Sequence, residues 1–155
     1  MREIIEVTKP TIKEFYTYKV LDSLPNWFED KSAVVNYSIK SRETLFFISD
    51  YYNHTEGFIS IKIHNEYSAE IYVMGVYEKH QSNGIGTKFL SAAEKHLTEL
   101  GYKYLQVKTL GPSVECEFYK STRLFYESNG FIPLEESQEI WGKDNPCLIM
   151  IKSLQ

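Results

Sequence analysis

The sequence has few of the residues from which metal sites and disulfide frameworks are built. Among 155 residues there are only two cysteines and four histidines. Cys116 and Cys147 do not form a CxxC pair, and no two histidines have the i, i+4 spacing that places ligands on one helix face. We therefore expect no metal site and two reduced cysteines.

Long apolar runs and an excess of positive charge are also missing. No segment approaches the length of a membrane span, and residues 1–6 lack the apolar core of a signal peptide. The formal net charge of −4 argues against nucleic acid as the main partner. The sequence thus predicts a cytoplasmic protein with no membrane or nucleic-acid partner, and it leaves a homodimer open.

The chain does contain a regular hydrophobic pattern, which predicts one domain over residues 1–155 without linkers or repeats. We predict strands at 2–7, 44–51, 57–63, 68–76, 104–110, 131–134 and 146–152, and helices at 11–21, 32–40, 85–100 and 117–128. Thr11 is expected to cap the first helix, and residues 53–56 are expected to form a hairpin turn. This order predicts an α/β fold with a mixed, mostly antiparallel sheet flanked by helices.

The side chains of the strand at 68–76 are expected to alternate between two faces. One face would carry Ile71, Val73 and Gly75, and the other would carry Glu70, Tyr72 and Met74.

A turn that contains two glycines follows this strand and opens an amphipathic helix. It consists of Gln81, Ser82, Asn83, Gly84, Ile85, Gly86 and Thr87. Backbone N–H groups at a helix N-terminus favour phosphate. A dinucleotide fingerprint is excluded because Phe89 stands at its third glycine position, and a Walker loop is excluded by the order Gly86-Thr87-Lys88.

The pattern Gln-x-x-Gly-x-Gly resembles the acetyl-CoA loop of the GCN5-related N-acetyltransferases, the GNAT family. Two further blocks resemble the family in order and spacing: Glu70, fourteen residues before Gly84, and Phe125-Tyr126 followed by Gly130-Phe131. The resemblance extends from about residue 44 to the C-terminus. It implies the acyl-CoA N-acyltransferase fold, with acetyl-CoA as the acetyl-donor cosubstrate and a small-molecule or peptide amine as the acceptor.

The same resemblance implies two catalytic residues, Glu70 as general base and Tyr126 as general acid. The attacking amine must lose a proton, and the departing thiolate can take one from a phenol whose ordinary pKa is about 10. The alternatives are a solvent-facing carboxylate at Glu70, with water or another residue as the base, and a packing role for Tyr126.

By resemblance, backbone groups of the glycine turn, residues 81–87, would hold the pyrophosphate of the cofactor. Met74, Gly75 and Val76 would pair with the pantetheine arm like an added strand, and the Val76 N–H would serve the oxyanion hole. We expect a bulge at Gly75 that separates the fourth strand from the fifth. The alternative is that Gly75 only relieves crowding against a helix.

The chain departs from the family pattern at Tyr119, where many members carry an asparagine that contacts pantetheine. Tyr119 would occupy that space. For the acceptor, the resemblance points to the region around Trp27, joined by Tyr72 and Trp141. With nearby acidic residues, these rings would suit a cation, and capping of the core is the alternative.

Two other functions stay open beside an N-acetyltransferase that works by direct transfer in a ternary complex. One is a non-catalytic acyl-CoA-binding sensor of the same fold. The other is transfer through an acylated Cys116 or Cys147, although neither has a neighbouring histidine in the sequence to lower its pKa.

Overall fold

The computed structural model describes residues 2–155 and contains one seven-stranded sheet within them. The strands are β1 (Arg2–Glu6), β2 (Leu45–Tyr51), β3 (His54–Ile63), β4 (Ser68–Val76), β5 (Tyr104–Leu110), β6 (Ile132–Ser137) and β7 (Cys147–Ser153). The helices are α1 (Pro10–Asp22), α2 (Lys31–Lys40), α3 (Ile85–Glu99) and α4 (Glu117–Ser128). The strand order is β1-β2-β3-β4-β5-β7-β6, and only β4 and β5 are parallel neighbours. The predicted mixed, mostly antiparallel α/β fold is confirmed.

The first helix begins one residue earlier than predicted. Pro10 occupies the first helical position, where the backbone N–H that proline lacks would have no partner within the helix. Lys9 is the N-cap, and its side chain makes no capping hydrogen bond. Thr11 therefore lies inside the helix, and its predicted capping role is wrong. In α2, by contrast, the Asp30 carboxylate accepts a hydrogen bond of 2.9 Å from the Ser32 backbone N–H.

The β2–β3 hairpin turns through two residues, which is fewer than predicted. Tyr52 and Asn53 have φ values of 51° and 63°, and Tyr51 pairs with His54. Positive φ at both central positions gives the turn a twist that matches the flanking strands. As a result, β3 begins before the predicted Gly57.

The sheet separates two buried clusters. The first lies beneath α3 and α4 and includes Phe47, Phe89 and Tyr126, while the second lies beneath α1 and α2 and includes Val20 and Phe46. Phe46 and Phe47 are neighbours in β2, so their side chains point to opposite faces. The helices therefore form two layers, one on each face of the sheet.

Strand β4 carries a β-bulge at Tyr72. Ser60 of β3 pairs with Val73, whereas the next residue, Ile61, pairs with Ile71. Tyr72 is the extra residue between them, which bends the strand and interrupts its regular pairing.

The bulge changes the alternation along the rest of β4. Ile71 and Met74 both pack in the α3/α4 cluster, and Tyr72 and Val73 both pack in the α1/α2 cluster, so the predicted faces are wrong beyond Tyr72. The bulge predicted at Gly75 is also wrong. A Cβ at Gly75 would lie 2.9 Å from Val20 Cγ1, so this glycine relieves crowding against α1.

Strands β4 and β5 pair over only part of their length. Their parallel register runs from Ser68 with Tyr104 to Ile71 with Val107, and it stops beside the bulge. Beyond this point each strand continues, β4 to Val76 and β5 to Leu110, without pairing to the other. The resulting gap in the sheet positions the candidate site.

Candidate active site

A cavity of about 870 Å³ lies where β4 and β5 separate. Phe125 and Tyr126 of α4 contribute one wall, whereas Trp27 and Tyr37 contribute the opposite wall. Phe125 and Tyr126 pack in the α3/α4 cluster, whereas Trp27 and Tyr37 pack in the α1/α2 cluster on the other face of the sheet. The cavity therefore passes through the gap and can admit groups from both faces. Its size is typical of a ligand pocket.

The glycine turn presents unpaired backbone donors to this cavity. Ser82 and Gly84 have φ values of 68° and 77°, and α3 begins at Ile85 with no side-chain cap. Within the described chain, the N–H groups of residues 82–87 donate to no protein acceptor. Consecutive N–H groups at the start of a 15-residue helix can bind an anion.

The two glycines of the turn serve different purposes. A Cβ at Gly84 would meet nothing within 4 Å, so its positive φ is what favours glycine there. A Cβ at Gly86 would lie 2.8 Å from Phe125 Cζ, so Gly86 allows the aromatic ring to pack over the first turn of α3. Gln81 fixes the turn to β4, because its Nε2 donates to the Val76 carbonyl at 3.0 Å.

Tyr126 is held inside the cavity wall with 5% of its surface exposed. Its ring packs edge-on against Phe125 and Phe131, with centroid distances of 5.2 and 5.4 Å. Burial raises the pKa of Tyr126 far above its ordinary value. No group among residues 2–155 hydrogen-bonds to its hydroxyl, so a protonated phenol is available to a group in the cavity.

Glu70 lies on β4 just before the bulge and is only 6% exposed. Its Oε1 atom lies 2.6 Å from His64 Nε2, and it accepts hydrogen bonds from Lys108 Nζ at 3.1 Å and Gln106 Nε2 at 3.2 Å. Lys108 lines the cavity, whereas Glu70 does not. The carboxylate is therefore linked to the cavity through the lysine.

The opposite wall of the cavity is aromatic. Trp27, Tyr72 and Trp141 all line it, and the Tyr37 and Tyr72 rings lie 5.2 Å apart. Tyr119 also lines the cavity, and its hydroxyl donates to the Trp27 carbonyl at 2.7 Å. Burial raises the pKa of Tyr72 and of Tyr119 to about 12, so both phenols are neutral at physiological pH.

The cavity brings together most of the residues that the sequence singled out. The predicted residues that line it are Trp27, Tyr72, Met74, Gly75, Val76, Gln81, Ser82, Gly84, Ile85, Gly86, Thr87, Tyr119, Tyr126 and Trp141. Glu70 and Asn83 do not line it.

Sequence reasoning missed several polar residues of the cavity wall, among them His80, Lys108 and Thr109. The last two lie on β5 beyond its pairing with β4. A parallel pairing of β5 with β4 would bring both residues close to Glu70 and the glycine turn. The sequence alone does not give the register of that pairing, so it could not identify them.

His80 connects the glycine turn to a buried ion pair. Glu56 is fully buried and accepts hydrogen bonds from Arg2 Nε at 2.6 Å and from Ser49 Oγ at 2.8 Å. His80 Nδ1 lies 3.5 Å from the same carboxylate. The Arg2 guanidinium holds the pKa of Glu56 below its usual range. This pair therefore helps to position the chain just before the turn.

Residues 2–155 contain neither a membrane-spanning helix nor a cluster of metal-ligating side chains. Across residues 2–155, no helix is long and apolar enough to span a bilayer. The same part of the chain holds no group of three or more His, Cys, Asp or Glu side chains placed to bind a metal ion.

A family model described as an acetyltransferase (GNAT) domain matches residues 42–133, which is more than half of the chain. No curated protein matches the chain significantly. Solved structures match it over nearly its whole length.

An aminoglycoside 6′-N-acetyltransferase complexed with coenzyme A has a TM-score of 0.76 at 16% identity, with 100% of this chain and 97% of that chain covered. The ribosomal-protein-S18-alanine N-acetyltransferase from Escherichia coli has a TM-score of 0.76 at 15% identity, with coverage of 100% and 95%. A GNAT family acetyltransferase from Elizabethkingia anophelis with acetyl-CoA bound has a TM-score of 0.75 at 18% identity, with coverage of 98% and 97%. At these identities the similarity shows a common fold.

Proposed function

The chain belongs to the GNAT family of acetyltransferases, and from that premise we propose that it transfers an acetyl group from acetyl-CoA directly to a primary amine. The observation that carries the proposal is the cavity through the β4–β5 gap. One side of this cavity has an uncapped helix N-terminus, and the other has an aromatic wall. A donor and an acceptor can therefore meet in the gap as a ternary complex.

We assign the donor to the side formed by α3 and α4. The unpaired N–H groups of residues 82–87 would bind the pyrophosphate of acetyl-CoA. The β5-facing edge of Met74, Gly75 and Val76 has no strand partner and would pair with the pantetheine arm. Solved structures of the same fold are described with CoA or acetyl-CoA bound, which supports this assignment.

A protonated acceptor must lose one proton before its nitrogen can attack and a second proton after attack, whereas the thiolate gains only one, so the other proton passes to solvent. The nitrogen lone pair attacks the thioester carbonyl carbon, the C–S bond breaks, and the CoA thiolate takes a proton from Tyr126. Burial raises the pKa of that phenol and keeps it protonated, and Tyr126 lines the cavity. Glu70 would receive the amine proton through an intervening water, because its carboxylate lies outside the cavity wall.

The charges around the aromatic wall bear on the acceptor. The Asp30 carboxylate caps α2, and Glu70 is paired with Lys108, so both acids already have partners within the protein. Recognition of a cationic acceptor is then left to the rings of Trp27 and Tyr72 and to Glu29, an exposed acid close enough to affect the pKa of Tyr119. We propose an amine with a single positive charge and an apolar or flat body, in preference to a polycation.

A panel of amines tests this function by the release of CoA thiol from acetyl-CoA. The panel should include aromatic and aliphatic monoamines, amino acids, polyamines, an aminoglycoside and peptides with a free N-terminus. We expect release with a monoamine and little with the polycations. Binding of acetyl-CoA without release for any amine would instead favour the acyl-CoA-binding sensor.

Transfer through a cysteine has little support. Cys147 is buried, burial raises the pKa of its thiol, and neither Cys147 nor Cys116 lines the cavity. Acetylated protein after incubation with acetyl-CoA alone, measured by intact mass, would contradict direct transfer. The single domain over residues 1–155, the cytoplasmic location, the homodimer and the absence of nucleic-acid and membrane partners stay predictions from the sequence.

A further inference from the structure

Thr109 has a buried hydroxyl with no hydrogen-bond partner. Within residues 2–155, Thr109 Oγ1 is the one buried side-chain nitrogen or oxygen atom that has no hydrogen-bond partner. The residue is 3% exposed. Leaving a buried hydroxyl unpaired is unfavourable, whereas valine would fill the same volume without that cost. The threonine is therefore not explained by packing alone.

The position of Thr109 places this hydroxyl at the gap in the sheet. Thr109 lies two residues beyond Val107, where the pairing of β5 with β4 ends. By alternation it shares a face with Leu105 and Val107, which pack in the same cluster as Tyr126. Thr109 also lines the cavity. Thr109 and Tyr126 thus lie on the same side of the sheet, and both residues line the same cavity.

We propose that the Thr109 hydroxyl binds the pantetheine arm of acetyl-CoA by a hydrogen bond to one of its amide groups. This inference rests on the proposed function. Pantetheine has two amides, each with a donor and an acceptor, and a hydroxyl can satisfy either group. The backbone edge of β4 would hold the arm from one side, and Thr109 would hold it from the β5 side.

A polar contact from β5 also has a geometric consequence. Backbone pairing with β4 alone would allow the extended arm to slip along the strand, because every backbone edge offers similar groups. A single side-chain hydroxyl on the opposite strand specifies one position. It would therefore set how far the thioester reaches toward Tyr126.

Calorimetric titration of two probes tests the proposal in wild type, Thr109→Val and Thr109→Ser. The first probe is CoA, and the second is 3′-phospho-ADP, which has the nucleotide and pyrophosphate but no pantetheine. Thr109→Val should bind CoA about five- to tenfold more weakly, the effect of one hydrogen bond, and should bind 3′-phospho-ADP like wild type. Thr109→Ser, which keeps the hydroxyl, should stay close to wild type with both probes.

Thermal unfolding provides a second measurement that separates binding from folding. Without ligand, Thr109→Val should unfold at the same temperature as wild type or higher, because it removes an unpaired polar atom. Saturating CoA should raise its unfolding temperature less than it raises that of wild type.

Three results would overturn the proposal. They are equal CoA affinity in Thr109→Val and wild type, an equal loss for both probes, and a ligand-free Thr109→Val that is less stable than wild type. If wild type itself binds neither CoA nor 3′-phospho-ADP, the proposed function fails as well, so the two failures can be distinguished.

Discussion

Lys108 Nζ lies 3.1 Å from Glu70 Oε1, and of these two residues only the lysine lines the cavity. The lysine therefore lies between the Glu70 carboxylate and the cavity, and the carboxylate does not reach the cavity wall itself. We propose that Glu70 acts through this contact, as a positioning or relay residue, and not by direct contact with the reacting groups.

Replacing Glu70 with glutamine should lower kcat/KM at neutral pH by about a hundredfold or more, the lower end of the usual range for general acid–base catalysis. Much of the activity should return as the pH rises, because the amine then arrives already deprotonated. The measurement is a profile of kcat/KM between about pH 6 and pH 10, which spans the titration of common amines.

Glu66→Gln is the matched control for this change, because Glu66 is an exposed acid on the loop before β4. A loss in Glu70→Gln that is equal at every pH would indicate that the carboxylate binds the acceptor's charge. No loss at any pH would assign the proton to another acceptor.

Replacing Tyr126 with phenylalanine should lower kcat by about tenfold to a thousandfold and leave the Kd for acetyl-CoA nearly unchanged. The change removes a proton donor and very little contact area. Because burial raises the pKa of Tyr126, the wild-type phenol should stay protonated up to at least about pH 10, and its ionisation should cause no alkaline loss of activity below that pH.

Tyr102→Phe provides the comparison for Tyr126→Phe. Tyr102 packs against the same cluster but does not line the cavity, so removal of its hydroxyl should leave turnover unaffected. Wild-type turnover in a folded Tyr126→Phe protein would assign that tyrosine to packing.

Replacing Gly84 with alanine should weaken acetyl-CoA binding by at least about tenfold, because the new Cβ would point into space needed by the phosphates. Gly101→Ala is the matched control, since Gly101 also has a positive φ and open space around its Cβ position. Both changes should reduce the free energy of unfolding by about 1 kcal/mol, the cost of a left-handed alanine.

The comparison requires calorimetric titration of each folded variant. Only Gly84→Ala should lose affinity. Similar affinities in the two variants would remove the glycine turn from the cofactor site. A change at Gly86 would be less informative, because its Cβ would meet the Phe125 ring whether or not a ligand is bound.

The buried pair of Glu56 and Arg2 should make stability depend on pH on the acidic side. The pKa of Glu56 is lower in the folded chain than its ordinary value of 4.5, so its contribution is complete above that pH. The contribution should disappear as the pH falls through the lower, folded pKa. Urea unfolding of wild type and Glu56→Gln from neutral to acidic pH measures this effect.

Glu56→Gln should be less stable than wild type by about 1–3 kcal/mol at neutral pH, because it removes a charged hydrogen-bond partner from a buried site. The difference should shrink as the solution is acidified. A constant difference across the whole pH range would mean that the charge of Glu56 does not contribute to stability.

The sequence predicted the elements whose signals are local. Residues Ser68–Val76, Tyr104–Leu110 and Glu117–Ser128 form the strands and the helix expected of them. Their bounds follow from β-branched and aromatic runs, from a glycine that stops a helix, and from turn residues. The order of the family's motifs likewise led to a fold that the structure confirms.

The features that could not be predicted depend on pairing between distant residues. The bulge at Tyr72 exists only in relation to Ser60 and Ile61 on β3, and no local residue preference marks it. The Lys108 contact with Glu70 depends on the β4–β5 register in the same way. Alternation in one strand, taken alone, therefore gave the wrong faces beyond Tyr72.

The extra residue in β4, Tyr72, makes the sheet less regular and lies where the gap between β4 and β5 begins. In a chain without Tyr72, Val73 would follow Ile71 directly, and the ladder between β3 and β4 would be continuous with every later side chain on its present face. Nothing would then bend β4 where its pairing with β5 now ends, so the ladder between those strands could extend past Val107. Such a protein should fold into a more uniform sheet, and the opening between its strands would close. A deletion here should therefore abolish binding of acetyl-CoA while retaining cooperative unfolding.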